Sequence, residues 1–471
     1  MTKILFVYPE HGRRPYFPTA IGYLSASILQ VEPTAKIDIL DLNIETNRER
    51  LKDESYEYIL ISGLSAHFFS IERVIHDIKS SNKKSIVVLG GIIVTSMPTK
   101  IIESLNADIY VIGEGERTIQ ELIKGKNREE IEGVGYKDQT GQATINRGRA
   151  MIEDLDIIPF PAWHLFSEKY MKIYRETDDL WDDALPILAS RGCPMRCNFC
   201  FRNFNGTYRS RSIENVLAEI DILIKQHKIG VITFIDEYFF VNKTKIQKFC
   251  QEIHNRQMKF IWSCAIRVEL ADKELFKSMK EAGCFMVQVG IEHGNQKMLD
   301  AMNKKSTVEE NERFLNIAKE CRLYIGMGII IGYPGETPET ITDGEKMLHR
   351  VQLLAGYHLI QAFPGTPLWD FAKEKGFITD EIEYLRNSFD SDRTLKINFT
   401  EMSTEYLLSE RTRIQNSTRK YELNNGFDKK EKIKLKLRYY FKHIKQGDVG
   451  TVSKKIREDL NKVFLRICTY S

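Results

Sequence analysis

Apolar and polar positions follow one repeating rhythm along the first third of the chain. A short apolar run is followed by a loop, then by a stretch in which apolar side chains recur every three or four residues. Runs over 4–8, 36–40, 58–62, 85–89 and 108–112 read as strands, and stretches over 19–30, 70–80, 98–105 and 117–124 read as helices. Apolar strands separated by helices predict a parallel sheet covered on both faces, with any ligand at the strands' C-terminal ends. Small residues gather at those ends: Ser62, Gly63 and Ser65 after the third strand, Gly90 and Gly91 after the fourth, and Gly113, Glu114, Gly115 and Glu116 after the fifth. They permit close approach of a large ligand to the backbone, and they equally serve tight turns. The G-E-G-E-R-T run lacks the third glycine of a dinucleotide fingerprint and follows the last strand, not the first. Nor does the third strand end in the acidic residue of a phospho-receiver.

Periodicity weakens from 133 to about 174, where V-G-Y-K-D-Q-T-G-Q reads as a small hairpin and I-I-P-F-P-A-W as a proline-broken linker. A second alternation then runs to about 372, with strands over 185–189, 231–235, 260–265, 285–290, 326–331 and 357–361 and helices that include 212–227, 243–256 and 308–321. Six such units predict an open, partial barrel. The chain thus divides at 1–132, 133–180, 181–372 and 373–471, the last a mainly helical, basic region.

Composition is that of a globular protein, and 471 residues exceed one ordinary core. The N-terminus lacks the order of a signal peptide, and the longest apolar stretches, 85–96 and 328–333, fall short of the roughly 20 residues a membrane span needs. A cytoplasmic protein is expected. The net charge of +3 conceals a tail, 427–471, with a charge of +8. Within it Ile433, Leu437, Tyr440, Phe441 and Ile444 fit one helical face, although Ile433, Leu435 and Leu437 also alternate like a strand. A basic amphipathic helix suits an acidic electron donor or an anionic membrane surface, and equally a solvated face packed on the barrel. Nucleic acid is not expected, because no binding module accompanies the charge.

None of the eight cysteines precedes Cys193, and three fall in R-G-C-P-M-R-C-N-F-C, over 191–200. Such clustering points to metal and not to a disulfide framework. Cys193, Cys197 and Cys200, at C-x3-C-x2-C spacing, supply thiolates for three irons of a cubane and leave the fourth without a protein ligand. A structural zinc would want a fourth Cys or His, and none is near. Cys250, Cys264, Cys284, Cys321 and Cys468 read as small, mostly buried residues.

The cysteine spacing, with Phe199 before the last cysteine, resembles the signature of the radical S-adenosylmethionine (SAM) superfamily. The resemblance implies a [4Fe–4S] cluster whose open iron binds the SAM amino and carboxylate groups and whose electron cleaves SAM to an adenosyl radical. G-I-I-I-G-Y-P-G-E over 328–336 matches the superfamily's adenine-binding pattern, which places Gly328, Ile330, Gly332 and Gly335 at SAM. Arg267 is positioned for the SAM carboxylate, while Asp236, Glu237 and Glu292 can face its ammonium or ribose hydroxyls. Each of these four also reads as an ordinary loop residue. The family usually shows serine after that last glutamate, and here His293 follows.

From Pro18 to about Lys420 the chain resembles the cobalamin-dependent branch of the superfamily. The resemblance rests on P-T-A-I-G-Y-L-S-A, V-L-G-G-I-I-V-T-S-M-P, V-I-G-E-G-E, I-E-D-L-D-I-I-P-F-P-A-W and F-P-G-T-P-L-W. It implies a flavodoxin-like, doubly wound sheet of the B12-binding type ahead of a TIM-like (β/α)6 barrel, with cobalamin between them. Cobalamin contacts then fall on Ser62, Gly63, Ser65, His67, Gly90, Gly91, Gly113, Glu114 and Gly115. Ile92 and Ile93 replace the family's proline and histidine, and no D-x-H-x-x-G run supplies a cobalt ligand. His67 can ligate cobalt as a neutral imidazole, although a loop histidine is more often hydrogen-bonded.

The implied activity is methylation of an unactivated carbon in a small metabolite, natural product or lipid precursor. One SAM serves as methyl source and a second as radical source, with flavodoxin or ferredoxin as electron donor. The rival readings are oxidative cyclisation or rearrangement, as in anaerobic porphyrin cyclases, and a non-catalytic cobalamin or cluster sensor. Methylthio transfer is disfavoured by the absence of cysteine from the front region.

Overall fold

The computed structural model describes residues 1–10, 17–45, 47–166, 184–202, 206–354, 356–387 and 394–425. The basic segment expected over 431–445 lies outside them. Five parallel strands, β1 (Lys3–Tyr8), β2 (Lys36–Asp41), β3 (Tyr58–Ser62), β4 (Ile86–Gly90) and β5 (Ile109–Val111), form the first sheet in the order β2-β1-β3-β4-β5. This is the flavodoxin-like order, whose switch point lies between β1 and β3.

The hairpin assigned to the linker belongs to this sheet. β6 (Val134–Lys137) and β7 (Ala143–Ile145) extend it antiparallel from β5. Left uncovered, β5 would be an open edge. Gly135 makes the pairing possible, because a Cβ there would lie 2.6 Å from Ile102 Cδ1 on the helix Pro98–Ser104. A short helix, Ile92–Ser96, follows Gly91 where only a loop was read.

The second sheet begins with β8 (Ala184–Ile187). A small antiparallel ribbon, β9 (Ser190–Arg191) with β10 (Arg209–Ser210), follows it. β11 (Val231–Phe234), β12 (Ile261–Ala265), β13 (Cys284–Glu292), β14 (Tyr324–Ile331) and β15 (Gly356–Leu359) then add in chain order, all parallel. Strands added always on the same side curve a sheet toward closure, and six leave it an open barrel. Side-chain caps start its helices: Ser212 accepts from the Asn215 amide, and Thr307 with Glu310 forms a capping box.

Apolar packing runs unbroken between the two sheets. Phe17, Trp163 and Phe166 stack at 4.6–6.5 Å and join the first sheet to the barrel helices, while Met298, Met302, Tyr333 and Trp369 reach the first sheet's other face. The helix Glu381–Arg386 adds a two-toothed ion pair from Arg386 to Glu72 at 2.9 and 3.0 Å. No helix among the described residues is long and apolar enough to cross a membrane.

The ends of β3 and β4 meet backbone to backbone. Gly63 donates to the Gly90 carbonyl, and Gly91, at φ +96° and ψ −174°, would place a Cβ 2.5 Å from the Gly63 oxygen. These glycines bring two loops together. Gly91→Ala is expected to lower stability to urea by about 2 kcal/mol or more. Gly125→Ala, at φ +76° in open space, should cost only about 1 kcal/mol; equal losses in the two variants would refute the backbone clash.

Candidate active site

The cysteine loop leaves the barrel through β9, and its three sulfurs border one cavity of about 500 Å³. Cys197 is buried, Cys193 half-buried and Cys200 exposed. The loop is fastened to the turn after the helix Gln296–Ala301: Asn198 donates its amide to the Met302 carbonyl, and Asn303 donates its side chain to the Arg196 carbonyl at 2.6 Å. Among the described residues no three His, Cys, Asp or Glu side chains are gathered tightly enough to hold a single metal ion. Three thiols spaced around a cavity of this size instead suit a multi-iron cluster.

Charged groups bring the opposite wall together. Arg267 lies 4.0 Å from Cys197 Sγ, donates to the Lys304 carbonyl at 2.7 Å and pairs with Glu269 at 2.8 Å. Lys304 Nζ donates to Glu292 Oε1 at 2.7 Å. Glu292 sits at a register shift in β13 with φ +61°, and a Cβ on Gly290 would lie 2.0 Å from its Oε1. A bulge and a glycine therefore fold this carboxylate back over its own strand. The wall offers a cation near the cysteines and an anion beyond it, as the two ends of a zwitterionic amino acid require.

The four loop candidates separate in the structure. Arg267, Glu237 and Glu292 border the cavity, whereas Asp236 does not. Asp236 turns into the barrel, where Oδ1 accepts from the Ala189 amide at 3.0 Å and from Ser190 Oγ at 2.5 Å, and burial pushes its carboxyl up to about 6. Of the 328–336 motif, Gly328 borders the cavity and Ile330 is buried in core. Glu336 accepts the Gly332 amide at 2.5 Å and lies 3.0 Å from His293 Nε2, so the unusual histidine ties the end of β13 to the end of β14. Gly335 makes the turn at φ +83°. Phe199 packs against the core that lines the first sheet.

On the first sheet the candidates are less alike. The His67 ring is buried edge-on to Tyr8, with Nδ1 accepting the Leu64 amide at 3.3 Å. That bond directs its lone pair to the peptide and puts the ring proton on Nε2. Ser62 ends β3, Ser65 is buried at the start of a short turn of helix, and Gly113 donates to Thr95 Oγ1 at 3.0 Å with open space around it. Gly115 packs near Leu24, and Glu114 turns away from the sheet end toward the barrel ribbon. Sequence reasoning missed Lys304, whose signal was only a turn between two left-handed residues, Asn303 and Lys305. It also missed Leu64, Ile235 and Phe363 on loops and Phe69 in the first turn of the helix Phe68–Ser81, large apolar side chains left exposed at the C-terminal ends of the two sheets. A flat, largely apolar macrocycle is the kind of ligand that would cover them.

Comparison with known proteins agrees with this geometry. The Radical SAM superfamily model matches residues 187–347, and the B12 binding domain model matches 20–123. The chain is a B12-binding radical SAM protein. Its cofactors are accordingly a [4Fe–4S] cluster, SAM and cobalamin. The radical SAM chain is 28% identical over 369 residues to an uncharacterised methyltransferase of Pyrococcus horikoshii, covering 75% of this chain and 78% of that one. It is 30% identical over 369 residues to the anaerobic magnesium-protoporphyrin IX monomethyl ester cyclase of Rubrivivax gelatinosus, covering 73% of this chain but only 65% of the cyclase. In fold it resembles the radical SAM methyltransferase TsrM of Kitasatospora setae, solved with tryptophan and a SAM analogue, with a TM-score of 0.67, 20% identity and coverage of 80% and 77% of the two chains.

Two outcomes follow from the site. The carboxyl of Asp236 is raised, so between pH 4 and 6 the unfolded chain releases a proton that the fold retains, and stability falls as pH rises through that window. Asp236→Asn, which keeps an acceptor for Ser190, should raise stability at pH 7 by up to about 3 kcal/mol and leave it unchanged at pH 3; an equal effect at both pH values would refute the assignment. Lys304→Met removes the partner of Glu292 and is expected to raise the SAM dissociation constant about tenfold or more while iron content stays at wild-type level, as equilibrium binding and iron analysis will show.

Proposed function

We propose that this radical SAM protein transfers a methyl group from SAM, by way of cobalamin, to an unactivated carbon of a small molecule. One observation carries the reading: a single cavity joins the three cysteines to the barrel lumen, and large apolar side chains are left exposed at the C-terminal ends of both sheets. When bound, the cluster and SAM supply a carbon-centred radical, and cobalamin supplies a methyl group to quench its product. The chain's residues hold and orient. Cys193, Cys197 and Cys200 bind the cluster, Arg267 and the Glu292–Lys304 pair take the amino-acid end of SAM, and the backbone around Gly328 takes its adenine. Glu237, at the cavity edge, is placed for the ribose. Cobalamin lies against the loops that contain Ser62, Gly63, Ser65, His67, Gly90, Gly91, Gly113 and Gly115.

The substrate is read as a small molecule with polar groups, because Gln288, His358 and Arg202 share the lining with Met286 and Met327. An external one-electron donor such as flavodoxin or ferredoxin reduces the cluster, and the basic tail is the segment suited to an acidic carrier or an anionic membrane surface. Methyl transfer is favoured over methylthio transfer by the lack of cysteine before Cys193.

The test is anaerobic turnover of the cluster- and cobalamin-loaded protein with methyl-deuterated SAM and a metabolite extract, analysed by mass spectrometry. Both 5′-deoxyadenosine and a product heavier by the labelled methyl are expected, with Cys197→Ser giving neither. A new product without the label would establish the cyclase-like alternative. Absence of 5′-deoxyadenosine from fully iron-loaded protein would remove the catalytic reading altogether.

A further inference from the structure

The stretch that holds the cluster cysteines begins and ends on the ribbon β9–β10, where Arg191 pairs in register with Arg209. Its two legs approach closely: a Cβ on Gly192 would lie 2.2 Å from the Thr207 oxygen. Both arginines reach across to one carboxylate of the first sheet. Glu114, between Gly113 and Gly115 in the loop after β5, accepts Arg191 on Oε1 at 2.8 Å, and on Oε2 it accepts Arg209 at 2.8 Å and the Ile152 amide at 2.7 Å. Glu116 accepts the other nitrogen of Arg191 at 2.5 Å, and Arg209 also donates to the Ile152 carbonyl. The side chains of Arg191, Arg209, Glu114 and Glu116 are 4–12% exposed. Burial alone would favour a neutral Glu114, yet the two guanidiniums hold its carboxyl below the usual range.

We propose that Glu114 is a positioning residue that clamps the base of the cluster loop to the cobalamin-facing end of the first sheet and so sets the distance between the two metal centres. The residue had been expected among the cobalamin contacts. Its carboxylate instead faces away from that site, with both oxygens engaged by the barrel and the linker. A short, rigid loop with Gly113 on one side and Gly115 on the other thus carries sheet contacts in its backbone and barrel contacts in its side chain. The proposal rests on cobalamin lying at the C-terminal ends of the first sheet.

The experiment uses the holoprotein loaded with cluster and hydroxocobalamin, as wild type, Glu114→Gln and Glu116→Gln. Glu72→Gln serves as control, because it breaks the tie of the first region to the helix Glu381–Arg386 and leaves the ribbon's contacts in place. Amide hydrogen exchange over 192–202 is read by mass spectrometry, and the separation of the reduced cluster from cob(II)alamin by pulsed electron paramagnetic resonance. In Glu114→Gln, exchange is expected to accelerate at least about tenfold and the distance distribution to broaden, with cobalamin uptake within about twofold of wild type. Glu72→Gln should alter neither reading. Unchanged exchange and an unchanged distribution would overturn the proposal, as would loss of cobalamin uptake in Glu114→Gln, which would make the residue a ligand contact. If Glu114→Gln does not fold, Glu116→Gln, which loses a single contact, decides through the same two readings. If wild-type protein takes up no cobalamin, the cofactor placement fails, and exchange over 192–202 then decides the clamp alone.

Discussion

One buried carboxylate, Glu114, holds two guanidiniums and a peptide amide at the seam between the sheets, and so fastens the base of the cysteine loop to the first sheet. Removing these charges from water is costly, and their attraction offsets that cost only when the hydrogen-bonding capacity of the carboxylate is filled. Glu114 meets that condition with three donors. Such a cluster adds little net stability compared with well-packed apolar side chains, but its directional bonds admit one register. The apolar packing of Phe17, Trp163 and Phe166 supplies the adhesion between the regions, and it tolerates sliding that the ionic cluster does not.

The same division of labour recurs at the cavity wall. Arg267, Lys304 and Glu292 form a chain from the sulfur of Cys197 to the bulge of β13, each link a charge-assisted bond of 2.7 Å or a contact at 4.0 Å. The left-handed backbone at Glu292 stores strain that this chain restrains. One residue further on, His293 reaches Glu336, which in turn accepts the Gly332 amide. The strand end read as adenine-binding is therefore braced from its neighbour, and a histidine at this corner does what a smaller serine side chain would be too short to do in the same way.

The fold was legible because its signals are local and repeated. Every strand read in the two alternating regions exists, with bounds that move by a few residues, since apolar runs and helical periods report burial directly. The β6–β7 hairpin was legible as a hairpin but not as part of the first sheet, because edge pairing depends on a partner that periodicity does not name. That the three cysteines gather at one cavity was legible from their spacing, being close in sequence. Asp236 and Glu237 were not separable: consecutive residues at a strand end point to opposite sides, and only the Ser190 hydroxyl shows which carboxylate went inward. The partners of Glu114 were not legible for a related reason, since a glycine-flanked acid at a sheet end gives no sign of Arg191 and Arg209, which arrive from 77 and 95 residues away. Lys304 carried no signal beyond its turn, since its role depends on Gly290 having no side chain where Lys304 Nζ lies.

The glycines of β14 show how one strand serves two surfaces. A Cβ on Gly326 would lie 2.8 Å from Met286 Cε, and one on Gly328 would lie 3.0 Å from His358 Cδ2. With no side chains at these two positions, β14 leaves room there for Met286 of β13 and His358 of β15 and bares its backbone toward the cavity. The polarity of the lumen is thus set by Gln288 and His358, which lie outside the 328–336 motif, while the motif itself offers only peptide groups. Backbone recognition is indifferent to what the flanking strands display. A change at Gln288 or His358 consequently alters what the lumen presents without replacing any group of the 328–336 strand end, and the two properties can be varied separately on one scaffold.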